Sequence, residues 1–577
     1  MNKNIFSIRK RTVRMMVDVL AAALLLLPSS LFVSCSDMLE ASSELVEYES
    51  DNTLNHVNDS VYSSLGVVYR MQKIADRVVL LGELRGDLVE ATKDASGDLQ
   101  RLLAFDFSQP NKYNVVSDYY AVINNCNYII AHLDTTMIRR GRQIFKPEYV
   151  AVKAWRAWTY MQLAQAYGKV PLVLDPLMTE KEAQAAMQQT PVDMVTICNT
   201  LISDLEPFAD TELPNFGTIN GSKSDVYFIP VRVLLGDLCL WAGKYEDAAR
   251  YYHDFLTDVK DPQRLPDNSS RWTSSSVFST PAMSYTINGG RETITLIPME
   301  TSTYDGVKGE IYNLFNSTED NKYYYQLRPS QALRDTSAAQ RYCMKLTINN
   351  KPDTMYVPSS GFTRAEYAGD LRFCSYYRLT VYGQENEYTE YSMQYQTIQK
   401  FFNNVLLTCR LPMVYLRYAE ALNRAGYPQS AMLILKRGIC DENIAQYVDT
   451  VESKKAGSLI AFDKLVFPQA SALGIHSRGC GDVDADKYYD VPQPSTALAT
   501  RQDTVDYQIP LVEDMIITEM ALEGAFEGNR FPDLMRVALR RNDPAYLADK
   551  VAGRSGTTDA ALRSKLMNTD NWFLPLP

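Results

Sequence analysis

The chain has 577 residues, a formal net charge of −11 at pH 7 and nine cysteines. Its acidity argues against a nucleic-acid partner, because a phosphate backbone requires a basic face that this composition does not provide. No two cysteines stand in a CxxC pair, which excludes zinc ribbons and thioredoxin-like redox motifs. No Gly/Ser-rich or Pro-rich linker divides the sequence, so we expect one large unit rather than several domains.

The N-terminus has the pattern of a lipoprotein signal peptide that covers residues 1–34. Five basic residues between Lys3 and Arg14 precede an apolar run at 19–27, which is too short for a membrane-spanning helix. The sequence LFVSC that follows resembles a lipobox and predicts that Cys35 is the lipidated residue, carrying palmitate. The alternative is an ordinary signal peptide that is cut nearby, with Cys35 incidental.

Six stretches show the three- and four-residue apolar spacing of amphipathic helices. They are 58–81, 113–133, 147–167, 226–258, 411–437 and 510–541. The fourth resembles a tetratricopeptide unit, in which Gly236 lets two helices approach and Gly243 makes the turn. The fifth is a similar pair, with Pro412 in the first turn and Gly426 at the end of the first helix. Such pairs bury their apolar stripes only against neighbours, which predicts a stack of pairs.

Helical spacing largely fails between residues 261 and 410. Short alternating runs at 293–297 and 344–348 predict strands, and tyrosines are frequent in this segment. A loop-rich segment of this length usually has a function, and aromatic rings are suited to bind the C–H faces of sugars. The candidate ligand contacts are Trp272, Tyr304, Tyr323 and Tyr324. For each tyrosine, the alternative is partial burial or strand packing.

Neither a metal site nor a catalytic site is predicted. The acidic segment at 479–489 has alternating aspartates like a calcium loop, but Lys487 replaces the required Gly and Gln493 the required Glu, so a solvated loop is expected. The four histidines are scattered, and HExxH, Walker A and GxSxG motifs are missing from the sequence. Binding is therefore favoured over catalysis and no cofactor is expected, although two carboxylates for glycoside hydrolysis are available among 69 acidic residues.

Several motifs resemble those of the SusD/RagB family of nutrient-binding surface lipoproteins. In family order along nearly the whole mature chain, they are the lipobox at Cys35, ELRGD, RAWTYMQLAQAYGKVPLV, YLRYAEALNRAG, EGNRFPDLMR and NWFLPLP. The resemblance implies a mainly α fold, with tetratricopeptide-like helix pairs forming a right-handed superhelical frame and a large loop-rich insertion carrying short strands. It implies a single SusD-like unit, which is divided as follows: helical frame 58–260 and 411–440, insertion 261–410, and C-terminal helices and loops 441–577, all within 35–577.

The same resemblance implies a function in nutrient uptake. Family members capture glycans at the outer membrane, facing the cell exterior, and deliver them to a SusC-like TonB-dependent transporter. The ELRGD motif adds Arg85 and Asp87 to the candidate ligand-binding residues. Within EGNRFPDLMR, an Arg530–Asp533 or Glu527–Arg530 ion pair is expected to hold the helical junction. Two alternatives stay open: the same scaffold capturing peptides, or a helical-repeat scaffold protein with no small-molecule ligand.

Overall fold

Helices form most of the regular structure in the residues that the computed structural model describes, which are 57–219, 221–265, 292–300, 306–315, 325–357, 369–370, 372, 377–382, 393–398, 400 and 405–576. The nineteen α-helices of this part of the chain are α1 (Val57–Leu84), α2 (Gly97–Leu103), α3 (Val116–His132), α4 (Lys146–Tyr167), α5 (Glu180–Met187), α6 (Met194–Leu205), α7 (Val231–Ala242), α8 (Tyr245–Leu256), α9 (Ile311–Leu314), α10 (Gln331–Ala338), α11 (Leu411–Arg424), α12 (Pro428–Lys436), α13 (Asp441–Tyr447), α14 (Thr450–Ala456), α15 (Ile475–Cys480), α16 (Arg501–Gly524), α17 (Arg530–Arg541), α18 (Pro544–Ala552) and α19 (Ala560–Leu566). All belong to one compact unit, residues 54–577. None of these described helices combines the length and the apolar character needed to cross a bilayer.

Twelve short strands accompany the helices in the described residues. They are β1 (Val89–Ala91), β2 (Ile138–Arg139), β3 (Arg142–Gln143), β4 (Thr218–Ile219), β5 (Ser222–Lys223), β6 (Thr293–Pro298), β7 (Leu327–Pro329), β8 (Tyr342–Ile348), β9 (Lys351–Val357), β10 (Tyr377–Tyr382), β11 (Met393–Ile398) and β12 (Val405–Arg410). They form only two-stranded antiparallel sheets, which are β1–β7, β2–β3, β4–β5, β6–β12, β8–β9 and β10–β11. The mainly α class that the motifs predicted is therefore confirmed.

Eight of the helices between α1 and α12 pack side by side, as the predicted stacking of pairs requires. Helix α1 packs against α3 and α4, α4 against α6 and α7, α7 against α8, α8 against α11, and α11 against α12. Helix α4 is buried along most of its length, so neighbours surround it. It begins with Pro147 in its first turn and ends at Gly168, whose φ of +76° favours glycine.

The predicted tetratricopeptide-like pair is formed by α7 and α8. Helix α7 ends at Gly243, which has a left-handed φ of +78°. Gly236 faces the Tyr252 ring, and a Cβ added at Gly236 would lie 2.5 Å from a ring carbon of Tyr252. The missing side chain therefore lets the two helices approach, as the sequence predicted. In the second predicted pair, Gly426 separates α11 from α12 with a φ of +94°.

The two ends of the insertion lie close together, at neighbouring helices of the frame. Helices α8 and α11 flank the insertion in sequence and pack against each other. Strand β6 lies near the start of the insertion and β12 ends it, and they pair in antiparallel register with Ile297 opposite Leu406. Strands β6 and β8 confirm the two strands that the alternating sequence predicted. Strand pairing thus closes the base of the insertion onto the helices.

The C-terminal helices differ from the prediction in one respect. The predicted start at Pro510 is wrong, because α16 begins at Arg501 behind a Thr500–Asp503 capping box and continues through Pro510. A proline inside a helix disrupts the ladder of backbone hydrogen bonds. Side chains from neighbouring helices bind carbonyls at this point: Asn423 donates to the Ile509 carbonyl and Arg541 to the Pro510 carbonyl, both at 2.9 Å.

The ELRGD and EGNRFPDLMR motifs pack directly against each other. The Gly528 amide donates to the Glu83 carboxylate at 2.8 Å, and a Cβ at Gly82 would collide with the Gly528 backbone. The charged residues of EGNRFPDLMR form ion pairs that hold the helical junction, as predicted. The partners in these ion pairs differ from the predicted ones. Arg530 pairs with Asp87, 443 residues away, and Glu527 pairs with cations of the insertion rather than with its neighbours in sequence.

A buried ion network joins the insertion to α15 and α16. Its five carboxylates and four permanent cations, counted over the described residues, are linked by consecutive ion pairs. They are Glu292, Asp370, Glu519, Glu523, Glu527, Arg372, Lys400, Arg410 and Arg478, and His476 contacts Glu519 at one end. Burial alone would raise the pKa of Glu523, but Arg478, Arg410 and Arg372 hold it far below its usual range.

Candidate functional site

Arg85, one of the predicted ligand contacts, lies inside the helical frame with 1% of its surface exposed. Its guanidinium donates to the Leu81 and Trp572 carbonyls, both at 2.9 Å, and lies 4.3 Å from the centre of the Phe531 ring. Burial lowers the pKa of Arg85 to about 9. Arg85 therefore connects α1 to the C-terminal segment and presents no surface to a ligand.

Asp87, the second predicted contact from the same motif, is also buried, with 6% exposed. Arg530 binds both of its carboxylate oxygens, from Nε at 2.5 Å and from Nη2 at 2.9 Å. Burial favours the neutral acid, but the charge of Arg530 outweighs this effect and lowers the pKa of Asp87. The structure thus corrects the placement of Arg85 and Asp87 on a ligand face, because both are paired within the core.

The other predicted residues lie outside the described residues. These are the lipidation site Cys35 and the candidate ligand contacts Trp272, Tyr304, Tyr323 and Tyr324. Their roles stay predictions.

A groove of ligand size opens beside the C-terminal segment, and we call it the C-terminal groove. Its volume is about 680 Å³, within the range of small-molecule sites. It lies between the end of α4, the start of α6, α17 and the segment after α19. Its lining residues are Phe105, Phe107, Ala164, Tyr167, Gly168, Lys169, Asp193, Met194, Val195, Trp241, Met535, Leu539, Lys565, Asp570, Asn571, Phe573, Leu574 and Pro575.

The closing NWFLPLP motif forms one wall of the groove. Trp572 is fully buried, and its indole N–H donates to the Leu566 carbonyl at 2.8 Å. The Leu574 amide donates to the Ala166 carbonyl at 2.9 Å. Phe573 packs over Gly168, where an added Cβ would lie 3.0 Å from the ring. Burial of the tryptophan and the backbone bond to α4 therefore hold the phenylalanine at the groove.

Aromatic and aliphatic side chains make most of the groove lining. Five of the lining residues carry aromatic rings, and Phe105 and Phe107 contact each other edge to face at a centroid distance of 6.2 Å. Val195 and Leu539 are 44% and 47% exposed. Such a surface can bind the C–H face of a sugar ring or an apolar peptide side chain.

Polar groups complete the lining and offer hydrogen bonds of both kinds. Lys565 donates to the Phe105 carbonyl at 2.6 Å, and Asn571 donates to the Lys565 carbonyl at 2.8 Å, so both are held in place. Asp193 caps α6 by accepting from the Thr196 amide at 2.8 Å, and this hydrogen bond lowers the pKa of Asp193. A general acid for glycoside hydrolysis needs a raised pKa. Asp193 therefore does not have the pKa of a general acid.

Sequence reasoning did not identify this groove. Its residues come from segments near positions 105, 167, 194, 241, 537 and 570, and three of the motifs contribute to its lining, namely NWFLPLP, YGKVPLV and, through Met535, EGNRFPDLMR. It also missed a cluster of potential metal ligands elsewhere, formed by Asp370, His476 and Cys480. The i and i+4 spacing of His476 and Cys480 was the available signal.

Comparison with known proteins identifies the fold. Neither a protein-family model nor a curated protein matches the chain. A SusD superfamily protein from Bacteroides thetaiotaomicron matches with a TM-score of 0.53 at 15% identity, covering 84% of this chain and 89% of that one. One from Bacteroides vulgatus gives 0.55 at 12% identity, covering 91% and 96%. A SusD-like carbohydrate binding protein from Bacteroides fragilis gives 0.51 at 14% identity, covering 85% and 88%. The chain therefore has the SusD-like fold that its motifs predicted.

Proposed function

We propose that this SusD-like chain is a lipid-anchored outer-membrane protein that binds glycans and delivers them to a SusC-like TonB-dependent transporter. The observation that carries the proposal is the C-terminal groove, which combines a ligand-sized volume with aromatic rings and polar groups held in place. The fold supports it, since a structural neighbour from Bacteroides fragilis is described as a carbohydrate binding protein. The lipid anchor at Cys35 and the transporter partner rest on the sequence motifs.

Peptide capture is the second candidate function. The exposed Val195 and Leu539 side chains and the lining methionines would accept apolar peptide side chains as readily as sugar rings. The charged lining residues Lys169 and Asp570 would bind peptide termini. The two candidates therefore differ in the ligand class and share the site.

Calorimetry on soluble residues 36–577 against oligosaccharides and short peptides separates these candidates. We expect heat with one sugar class, and we expect Phe107→Ala or Lys169→Ala to weaken binding at least tenfold, or roughly 1.4 kcal/mol. Tyr507→Ala is the matched control, because Tyr507 is 40% exposed and is not among the groove residues. Trp272→Ala tests the alternative site that the sequence predicted.

Each result has a distinct meaning. Loss of heat in Phe107→Ala places the ligand in the groove, whereas loss in Trp272→Ala alone moves it to the insertion. Heat with peptides only supports the second candidate. If neither panel gives heat, even after co-purification with the transporter, ligand capture is refuted and a scaffold role stands.

The anchor is tested separately on intact cells. Cys35→Ala is expected to release the protein from the outer-membrane fraction, and externally added protease is expected to digest the wild type. If the Cys35→Ala variant still sediments with the outer membrane, the lipid anchor is wrong, whatever the ligand.

A further inference from the structure

Three potential metal ligands, a carboxylate, an imidazole and a thiol, lie close together in the interior of the protein, and none of them lines the C-terminal groove. One ligand atom each from Asp370, His476 and Cys480 lies within 4.8 Å of the others. All three residues are buried, with at most 2% exposed. His476 and Cys480 are four residues apart on α15 and so lie on one face of that helix. Asp370 comes from the insertion, so the cluster bridges two parts of the fold.

The local backbone lets the carboxylate approach the helix closely. A Cβ at Gly479 would collide with the Asp370 carboxylate, so only glycine fits between His476 and Cys480 on this side. The Cys480 thiol donates to Oδ2 of Asp370 at 3.4 Å. The proton of this hydrogen bond lies on the sulfur, and Arg372 also donates to Oδ2 at 2.6 Å. A metal ion that displaces the thiol proton would be bound by the sulfur and the carboxylate.

Two neighbours hold the ring of His476. Nδ1 of the imidazole is hydrogen-bonded to the buried carboxylate of Glu519, so a metal would have to bind the other ring nitrogen, Nε2. Carboxylates in this position fix the ring orientation of metal-bound histidines and raise their basicity. The Tyr489 ring stacks on the imidazole with centroids 3.8 Å apart and an angle of 3° between the planes. The ring plane is therefore fixed from two sides.

The ion network contains one more carboxylate than permanent cations among the residues that the structure describes, five against four. Burial and Asp370 raise the pKa of Cys480. A divalent ion that replaces the thiol proton adds one positive charge beside this network.

We propose that Asp370, His476 and Cys480 bind a zinc ion that ties the insertion to the C-terminal helices. Thiolate, imidazole and carboxylate are the three protein ligands that zinc prefers. Binding forms a zinc–thiolate bond and releases the thiol proton to solvent. The ion would link Asp370 and Cys480, which lie more than 100 residues apart in sequence, and its binding free energy would add to the stability of the folded state. This role is structural and independent of the glycan proposal.

The test uses residues 36–577 after dialysis against a chelator. We expect one equivalent of zinc to bind with release of protons, measured in weakly buffered solution, and to raise the melting temperature. Cobalt is expected to give a thiolate-to-metal charge-transfer band in the near ultraviolet. Cys480→Ala should lose this band and the zinc-dependent stabilisation. Cys126→Ala is the matched control, because Cys126 is an equally buried cysteine on α3 and should keep both.

Two results would overturn the zinc site. In the first, wild-type protein takes up no zinc at micromolar concentration. In the second, cobalt binds without a thiolate band, or the band persists in Cys480→Ala. If Cys480→Ala does not fold, the cobalt spectrum and proton release of the wild type decide the question alone.

Discussion

Replacing Asp87 by asparagine tests whether the ELRGD motif holds the fold or binds the ligand. The Asp87 and Arg530 side chains are only 8% and 7% exposed. Asparagine keeps the shape of the side chain but removes the charge that neutralises Arg530. The guanidinium would then keep one described carbonyl partner, that of Ile517 at 3.0 Å. An uncompensated charge in this position is costly.

The expected loss of stability is about 3–5 kcal/mol, the usual cost of removing one partner of a buried ion pair. The matched control is Asp549→Asn. Asp549 pairs with Arg563 at 2.5 Å, the same distance as the Asp87–Arg530 pair, but these two side chains are 56% and 43% exposed. Water screens such a pair, so its loss should cost less than about 1 kcal/mol.

Urea unfolding of residues 36–577, followed by circular dichroism, measures both variants from the midpoint at constant m value. The Asp87→Asn, Arg530→Met and double variants complete a cycle, in which the double variant should be more stable than the sum of the single losses implies. Ligand affinity at a temperature where the variants are folded should not change. If Asp87→Asn unfolded like the wild type but no longer bound the ligand, our assignment of Asp87 to the core would be refuted.

The Asp87–Arg530 pair also makes the folding stability depend on pH in the acidic range. The folded pKa of Asp87 is lower than its unfolded value, which is about 3.9. The pair therefore contributes its full stability above that unfolded value, and the contribution is lost as the pH falls through the folded pKa. Melting temperatures between pH 7 and about pH 3 should fall more steeply for the wild type than for Asp87→Asn. Parallel curves would contradict this sign.

The remaining predictions concern close packing. Gly236→Ala places a Cβ 2.5 Å from the Tyr252 ring and should cost about 1–3 kcal/mol in urea unfolding. Gly66→Ala on α1 is its control, because no atom lies within 4 Å of the added Cβ. This change should stabilise the helix by up to about 1 kcal/mol. An equal loss of stability in both variants would contradict the packing argument. Trp572→Ala removes a fully buried indole and its hydrogen bond to the Leu566 carbonyl, and should lower the stability by about 3–5 kcal/mol. We expect a lower melting temperature and weaker ligand binding in the groove. Unchanged binding by the folded variant would show that the NWFLPLP wall is not needed for binding.

The sequence by itself determined most of the packed helices of the frame, although α6 was not predicted. Apolar residues at three- and four-residue steps, Pro147 and Pro412 in first turns, and Gly168 and Gly426 at helix ends predict α4 and α11 nearly to the residue. The pairing of α7 with α8 follows from the small residue Gly236, because that contact is local in sequence. The start of α16 was misplaced because a proline usually begins a helix, whereas here the Thr500–Asp503 capping box begins it at Arg501.

Only the tertiary structure decided what the charged and aromatic residues do. Arg85 and Asp87 looked like ligand contacts next to a polar loop, but their partners, Trp572 and Arg530, lie more than 440 residues away. The C-terminal groove and the Asp370–His476–Cys480 cluster likewise join distant segments. The spacing of apolar residues along the sequence indicates which face of a helix is buried, because that face is set by residues three and four positions apart. It does not indicate which distant side chain neutralises a buried charge, because that pairing exists only once the chain has folded.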